Sequence, residues 1–499
     1  MNANSFDNIL QYLTAFSEEP CLTPITNFIN NEFVASSRLM ESFNPATGLP
    51  WVKIPNSTDL EVSSAISAAK EAFKTWKLTS AAHRSKLMND LANLLEKHIV
   101  ALAILESRDQ GKPVAIAKAL DIPRCIQNFR AFAAAIQTQT APSAILEEPV
   151  KAVSYVKYDP IGVAGLISPW NLPLYLLSFK IAPALAAGNT IVCKPSEMTS
   201  VTAWALMHAI KEVGFPPGVV NLVMGEGATA GQYLVDHPDV PLISFTGSTL
   251  VGKMIQEKGA RLNKKVSLEM GGKNPAIVFS NYNSNDLPLI VKSCFFNQGE
   301  ICLCTSRLFV QADIFDDFVK KFVQIAKNYS VGDPADNVNI GAINSKQHFQ
   351  KIKRYIEYAK EEGGIIHCGG VVEMPGKLQN GYFIAPTVIT GISDSSKCMT
   401  DEIFGPVICL TPFRSIEEVV TRANATEYGL SATVWSTNSS DLLNTAHALR
   451  AGTVWCNTWM VRDLNMPFGG CKQSGQGREG IHDSLHFYAD AKTVCVKLD

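Results

Sequence analysis

The sequence offers little to a charged polymer. Its 499 residues carry a formal net charge of −2. No long-range field therefore draws nucleic acid or an anionic membrane surface, and a small-molecule partner is expected. No uninterrupted apolar run reaches the roughly 18 residues of a membrane span. The 12 cysteines include no CxxC pair, and no histidine or second cysteine stands beside them at zinc spacing, so neither a metal site nor a disulfide framework is expected. Some lie in apolar runs, such as Ile191-Val192-Cys193 and Val407-Ile408-Cys409, where a reduced thiol acts as a small core hydrophobe. Residues 1–20 hold no Arg or Lys but do hold Asp7, Glu18 and Glu19, which does not fit a secretory or mitochondrial leader. A reducing, cytoplasmic setting is the expectation. Also missing is the dinucleotide fingerprint G-x-G-x-x-G, of which Gly225-Glu226-Gly227 is only a fragment.

What is present is alternation. A chain of this length, 46% hydrophobic, predicts two or three folded domains. Residues 27–50 read as short strands and turns. A helix starts at Thr58, with Glu61 completing a capping box and Val62, Ile66, Ala69 and Phe73 on one face. Helices follow over about 80–97 and 99–110, the latter ended by Gly111 and Pro113. From Ile161 short apolar strands (161–167, 190–193, 219–223, 241–245, 265–268) alternate with helices, which predicts a parallel sheet covered on both faces. A second alternation follows Glu269, with strands near 275–279, 306–311, 431–435 and 453–457. The tail around 493–497 has strand character and is too short to fold alone, so it pairs either with another segment of this chain or with another subunit.

Four stretches can carry chemistry. Thr246-Gly247-Ser248-Thr249 follows a strand and opens a helix, where free amides attract a pyrophosphate, although such turns are also plain caps. Lys194-Pro195-Ser196-Glu197 stands at a strand's carboxyl end, where α/β sheets place ligands. A carboxylate such as Glu197 binds a ribose diol and repels a 2′-phosphate, which favours NAD over NADP. Asn297-Gln298-Gly299-Glu300-Ile301-Cys302-Leu303-Cys304 puts a cysteine on a loop, where a thiol is reachable. In extended chain Cys302 and Cys304 would face the same side, so one of them is a bystander. Glu269 ends a strand before Met270-Gly271-Gly272-Lys273-Asn274. The paired glycines let another group approach, and a carboxyl there, raised by an apolar pocket, can act as a base.

These stretches, with Ser168-Pro169-Trp170-Asn171, Glu402-Ile403-Phe404-Gly405-Pro406-Val407 and Pro467-Phe468-Gly469-Gly470, resemble the aldehyde dehydrogenase superfamily in order and spacing from about residue 25 onward. The resemblance implies an α/β fold: a Rossmann-like NAD-binding domain (25–138 and 160–268), an α/β catalytic domain (269–480) and a small β oligomerisation element (139–159 and 481–499). Residues 1–24 form an extension outside it, and the assembly implied is a homodimer or homotetramer. The resemblance makes Cys302 the nucleophile, Glu269 the general base and Asn171 the oxyanion donor. The cofactor contacts it implies are Ser168, Trp170, Lys194, Ser196, Glu197, Gly247, Ser248, Glu402 and Phe404. Trp170 also falls near the substrate channel, and no metal is implied.

Within the superfamily, Glu300–Arg307, Pro173–Leu177 and Asp121-Ile122-Pro123-Arg124 are most similar to a branch that oxidises muconic-type semialdehydes in tryptophan catabolism. Arg462 and Arg124 are then candidates to grip a substrate carboxylate, because a guanidinium binds one bidentately. A carboxylated semialdehyde is expected in preference to retinal or another long apolar aldehyde. The rival class is a thiol esterase using Cys302 and Glu269 without NAD; Lys194 and Glu197 would have no purpose in it. Glu300 and Leu250 depart from residues frequent in the family, at positions without a catalytic role.

Overall fold

The computed structural model describes residues 5–15 and 24–498. Cys21, Glu18 and Glu19 lie outside the described residues. Five strands, β1 (Val163–Ile167), β2 (Thr190–Lys194), β3 (Val220–Leu222), β4 (Leu242–Thr246) and β5 (Lys265–Glu269), run parallel in the spatial order β3-β2-β1-β4-β5. Alternate residues feed opposite faces. Ala164, Leu166, Ile191 and Cys193 join the core under helices Pro173–Ala187 and Val201–Val213. Val163 and Val192 join another core, packed by Val62, Ile66 and Ala69 of helix Asp59–Trp76. The expected double coverage is therefore present, with a difference at the edges. There the sheet is antiparallel: Asn27–Ile29 pairs with β3, and Gly475–Gln476 pairs with β5.

The order reverses direction between β1 and β4. Connections leaving these two strands diverge, which opens a crevice at their carboxyl ends. Gly188 and Gly214 end their helices at φ 95° and 89°, a left-handed cap that lacks the Cβ clash of other residues. Each turn returns the chain to the sheet in register.

The second sheet contains β6 (Asn274–Val278), β7 (Thr305–Gln311), β8 (Ile384–Thr390), β9 (Val407–Phe413), β10 (Ser431–Trp435) and β11 (Thr453–Cys456). Their order is β8-β9-β7-β6-β10-β11, all parallel, with Ile365–Val371 antiparallel on the outer edge of β8. Strands β8, β9 and the edge strand are not among the strands expected from the sequence. Pro386, Pro412 and the Gly369-Gly370 pair interrupt their strand pattern, and such residues argue against a strand unless tertiary pairing supports one.

Two loose ends find places. The tail Ala489–Lys497 pairs antiparallel along its whole length with Ala152–Pro160 of the same chain, and Ser143–Leu146 completes a three-stranded sheet. The first of the two tail pairings is the one formed. Helix Phe6–Ala15 buries Phe6, Leu10 and Leu13, and Asp7 Oδ1 meets His98 Nε2 at 2.9 Å. The backbone N–H of Phe6 donates to Glu212 at 2.8 Å. Part of the extension outside the family resemblance is thus packed onto the first sheet's helices.

Gly111 ends helix Ile99–Gln110 at φ 99°, and a Cβ there would meet the Ala342 carbonyl oxygen at 2.4 Å. Gly111→Ala is expected to destabilise the protein by about 1–3 kcal/mol. A thermal melt checks this; an unchanged midpoint would mean that the turn relaxes freely.

Candidate active site

The crevice between β1 and β4 opens into two adjoining cavities, of about 470 and 230 Å³, which share Pro169, Trp170, Thr246, Gly247 and Ser248 in their walls. The larger is lined by Ser168, Lys194, Ser196 and Glu197, and the smaller by Asn171, Cys302, Glu402, Phe404, His348 and Lys351.

The larger cavity is built from strand ends. The Ser168 N–H donates to the Lys194 carbonyl at 3.2 Å, which joins the loops after β1 and β2. Lys194 Nζ and Glu197 Oε2 lie 3.0 Å apart. The Ser196 hydroxyl turns the loop by accepting from Met198 N–H at 3.3 Å. Ser248 caps helix Thr249–Arg261, its side chain accepting from Val251 N–H. A Cβ at Gly247 would stand 2.5 Å from the Phe245 ring, so a side chain at this turn would have to displace that ring. Ser168 Oγ is buried without a hydrogen-bond partner, a state that a bound polar group would relieve. The donor set therefore fits a dinucleotide: a carboxylate for a ribose diol, helix amides for a pyrophosphate, and an unpaired hydroxyl between them.

The smaller cavity holds the thiol. Asn297, Gln298 and Gly299 are left-handed in succession, at φ 54°, 58° and 71°, which concentrates strain immediately before Cys302. A Cβ at Gly299 would lie 2.3 Å from the Gly405 carbonyl oxygen, so this backbone packs directly against the one that carries Glu402 and Phe404. Asn274 Nδ2 fastens the loop by donating to the carbonyls of Cys302 (2.6 Å) and Cys304 (2.8 Å). The two cysteines do not lie in extended chain as expected. A turn closes between them, with the Cys304 N–H donating to the Ile301 carbonyl at 2.9 Å. The Cys304 sulfur is 3.6 Å from the Phe296 carbonyl, while Cys302 lines the cavity. Asn171 Nδ2 donates to the Glu300 carbonyl at 2.9 Å, which brings the β1 loop against the thiol loop.

Glu402 is the group that the paired glycines admit. A Cβ at Gly271 would meet Glu402 Oε2 at 2.1 Å, and the Gly272 N–H donates to Oε1 at 2.9 Å. Burial raises the Glu402 carboxyl, and this hydrogen bond opposes the shift. Trp170 and Phe404 meet edge to face at 5.3 Å, and His348 Nε2 reaches the Phe404 carbonyl at 2.6 Å. Burial pushes His348 down to about 3, so it is neutral and its Nε2–H is the donor.

Glu269 is absent from the walls of both cavities. Both of its carboxyl oxygens are buried without partners, and a Cβ at Gly469 would lie 2.6 Å from Oε1. Burial, then the Glu479 charge, raises it well above the ordinary carboxylate range; Lys180, Arg462 and Arg478 oppose this. Burial likewise raises the Cys302 thiol, aided by Glu402 and Glu269 and opposed by Arg462.

The two arginines are placed differently. Arg462 lies between two rings, 4.1 Å from the centre of Phe468 and 4.6 Å from that of Phe179. Its Nη1 is 3.4 Å from the Tyr175 hydroxyl, and its Nε and Nη2 are buried without partners. Arg124 sits farther out, over the Tyr175 ring at 5.6 Å, with Nη1 donating to Gln127 at 2.7 Å. Sequence reasoning missed Asn274, His348, Lys351 and Trp459, the last donating to the Leu303 carbonyl at 3.0 Å. Asn274 and Trp459 lay in stretches already singled out, but nothing local shows which carbonyl a side chain will reach.

The model of the "Aldehyde dehydrogenase family" matches residues 33–494. A 2-aminomuconic semialdehyde dehydrogenase of Homo sapiens is 50% identical over 481 residues, covering 95% of this chain and 99% of that protein. Retinaldehyde dehydrogenase 3 of Rattus norvegicus is 42% identical over 486 residues, with 95% and 93% covered. An NAD+ complex of aldehyde dehydrogenase from Bacillus cereus has a TM-score of 0.93 at 36% identity, covering 98% of this chain and 99% of that one. Matched along nearly its whole length in sequence and in fold, this chain belongs to the aldehyde dehydrogenase family.

Proposed function

We propose that this protein oxidises a carboxylated semialdehyde to the dicarboxylate with NAD, the substrate being 2-aminomuconic semialdehyde of tryptophan catabolism. The observation that carries the substrate class is Arg462. Its guanidinium is held between Phe179 and Phe468, and its Nε and Nη2 have no partner. Those two donors form the edge that grips a carboxylate bidentately. An apolar aldehyde would leave them unpaired in a buried site, at the cost of their desolvation. The relatives of about 50% identity that act on 2-aminomuconic semialdehyde support the same choice.

In the catalytic sequence Cys302 gives its thiol proton to solvent water, and the resulting thiolate sulfur attacks the aldehyde carbon. The Asn171 amide and the Cys302 N–H donate to the oxygen as it gains charge, an arrangement set before reaction. Ser168, Trp170, Lys194, Ser196, Glu197, Gly247 and Ser248 would hold NAD, with Glu402 and Phe404 at its nicotinamide ribose; when bound, NAD supplies the hydride acceptor. The carbon is then a thioester on Cys302. Glu269, ionised, takes a proton from water, the water oxygen adds to the thioester carbon, and the sulfur leaves as the acid is released.

We further propose residues 25–138 with 160–268 as the cofactor domain and 269–480 as the catalytic domain. Residues 139–159 and 481–499 would be oligomerisation elements of a homodimer or homotetramer. Ile145 on that small sheet is 76% exposed, which a partner subunit would cover. A free catalytic thiol suits the reducing cytoplasm.

Steady-state oxidation with NAD, followed by reduced-cofactor absorbance, tests the reading. Cys302→Ala is expected to abolish turnover and Cys304→Ala to keep most of it; the reverse would assign the other sulfur. Aldehyde consumed without reduced cofactor would sink the dehydrogenase. Arg462→Ala should raise KM for carboxylated semialdehydes about 10- to 100-fold, matching one charged hydrogen-bonded contact, and leave neutral aldehydes little changed. Equal effects would remove Arg462 from the substrate site. Because Glu269 acts ionised and its folded pKa is raised, the rate should climb with pH on a limb above the ordinary carboxylate range. Glu269→Gln should lose that limb and slow steady-state turnover by about 100-fold or more.

A further inference from the structure

We infer that Lys112 is a positioning residue for the oxyanion hole, its buried ammonium holding the Asn171 main chain from behind. The inference rests on the reading of Asn171 as the oxyanion donor. Lys112 is fully buried and follows the left-handed Gly111. Both of its backbone groups are engaged: its N–H donates to Gln110 Oε1 at 3.0 Å, and its carbonyl accepts from the Ser107 hydroxyl at 2.5 Å. The side chain therefore leaves from a rigid base. Its Nζ donates to Asp121 Oδ1 at 2.6 Å and to the Asn171 carbonyl at 2.9 Å.

The Asn171 carbonyl takes a second, longer bond from Asn297 Nδ2 at 3.3 Å, and that same amide reaches the Glu300 carbonyl at 3.3 Å. Asn171 Nδ2 also donates to the Glu300 carbonyl. The donor amide and the nucleophile loop are thus tied from the front, while among the described residues Lys112 brings the charged donor to the Asn171 carbonyl. Behind Lys112 stand the two carboxyl groups of Asp121 and Glu106. Glu106 accepts from Leu174 N–H (2.9 Å) and from the Thr202 hydroxyl (2.5 Å). Burial, then the Asp121 charge, pushes Glu106 up to about 8, and burial raises Asp121 as well, opposed by Lys112; Asp121 is the carboxyl in direct contact with Lys112 Nζ.

A buried ion pair adds little stability over apolar side chains of equal volume. What an apolar pair would not supply is the bond to the Asn171 carbonyl. The geometry is also demanding, because misplacing a reacting group by about 1 Å costs on the order of 100-fold in rate. Helix Ile99–Gln110 extends the same support, since Glu106 caps the start of the helix that follows Asn171.

The test compares Lys112→Met with the double variant Lys112→Met/Asp121→Asn, in full-length enzyme saturated with NAD. Stopped-flow absorbance gives the rate and the amplitude of reduced-cofactor formation in the first turnover, normalised to folded, NAD-binding protein. The double variant removes both members of the Lys112–Asp121 ion pair together, so it carries the test if the single variant folds poorly. The expected result is a first-turnover rate about tenfold or more below wild type in both variants, with normal amplitude. A wild-type rate in the double variant would overturn the inference, because Lys112 would then serve only to neutralise Asp121. A lower amplitude at an unchanged rate would overturn it too, as plain loss of folded enzyme. Asn171→Ala is run beside them. If it reacts at the wild-type rate, the oxyanion assignment falls; if it is slow while the double variant is fast, only the role of Lys112 falls.

Discussion

The seam on which this site is built is spanned at its centre by a hydrogen bond between two loops. Asn171 Nδ2, from the loop after β1, donates to the carbonyl of Glu300, two residues before Cys302. The donor belongs to the first sheet and the acceptor loop leads into β7 of the second. Every proposed catalytic group depends on this junction being held: the amide must face the carbon that the sulfur attacks, and neither loop belongs to the element that supplies the other. Reinforcement is correspondingly dense. Asn274 ties down the Cys302 and Cys304 carbonyls, Trp459 the Leu303 carbonyl, and Lys112 the back of residue 171.

The second constraint is close approach. Gly271, Gly299 and Gly469 stand where a Cβ would overlap the Glu402 carboxyl, the Gly405 carbonyl oxygen and the Glu269 carboxyl, at 2.1, 2.3 and 2.6 Å respectively. Gly271 and Gly469 let carboxyl side chains lie directly against main chain, and Gly299 lets main chain lie against main chain. Burial raises Glu269, Glu402 and Cys302 together. Arg462 acts in the other direction on Glu269 and Cys302. The cation proposed to orient the substrate thereby also favours the ionised forms that the chemistry uses.

Much of the architecture was legible in the chain. Helix limits followed from the Thr58–Glu61 capping box and from Gly111, because capping chemistry is local. The central strands of the first sheet followed from short apolar runs. Strands β8 and β9 did not, because Pro386 and Pro412 break the local pattern and pairing with neighbours overrides it. At the site, the order of motifs pointed to Cys302, Glu269 and Asn171, and the glycine pair at 271–272 announced that something would approach. That the visitor is Glu402, from 130 residues farther along, was not readable.

The sequence by itself determined the alternation of helices and strands, the family, and which side chains can do chemistry, since these reside in local periodicity and residue type. Tertiary structure decided which of them face one another. It turned Cys304 away by closing a turn that an extended reading excluded. It also separated the two candidate arginines, of which Arg462 ranked first in the sequence, pairing Arg124 with Gln127 and leaving Arg462 with two unpaired donors. Partner choice for a buried polar group depends on what the fold brings within about 3 Å. That distance is set by packing between segments far apart in the chain, and no local pattern encodes it.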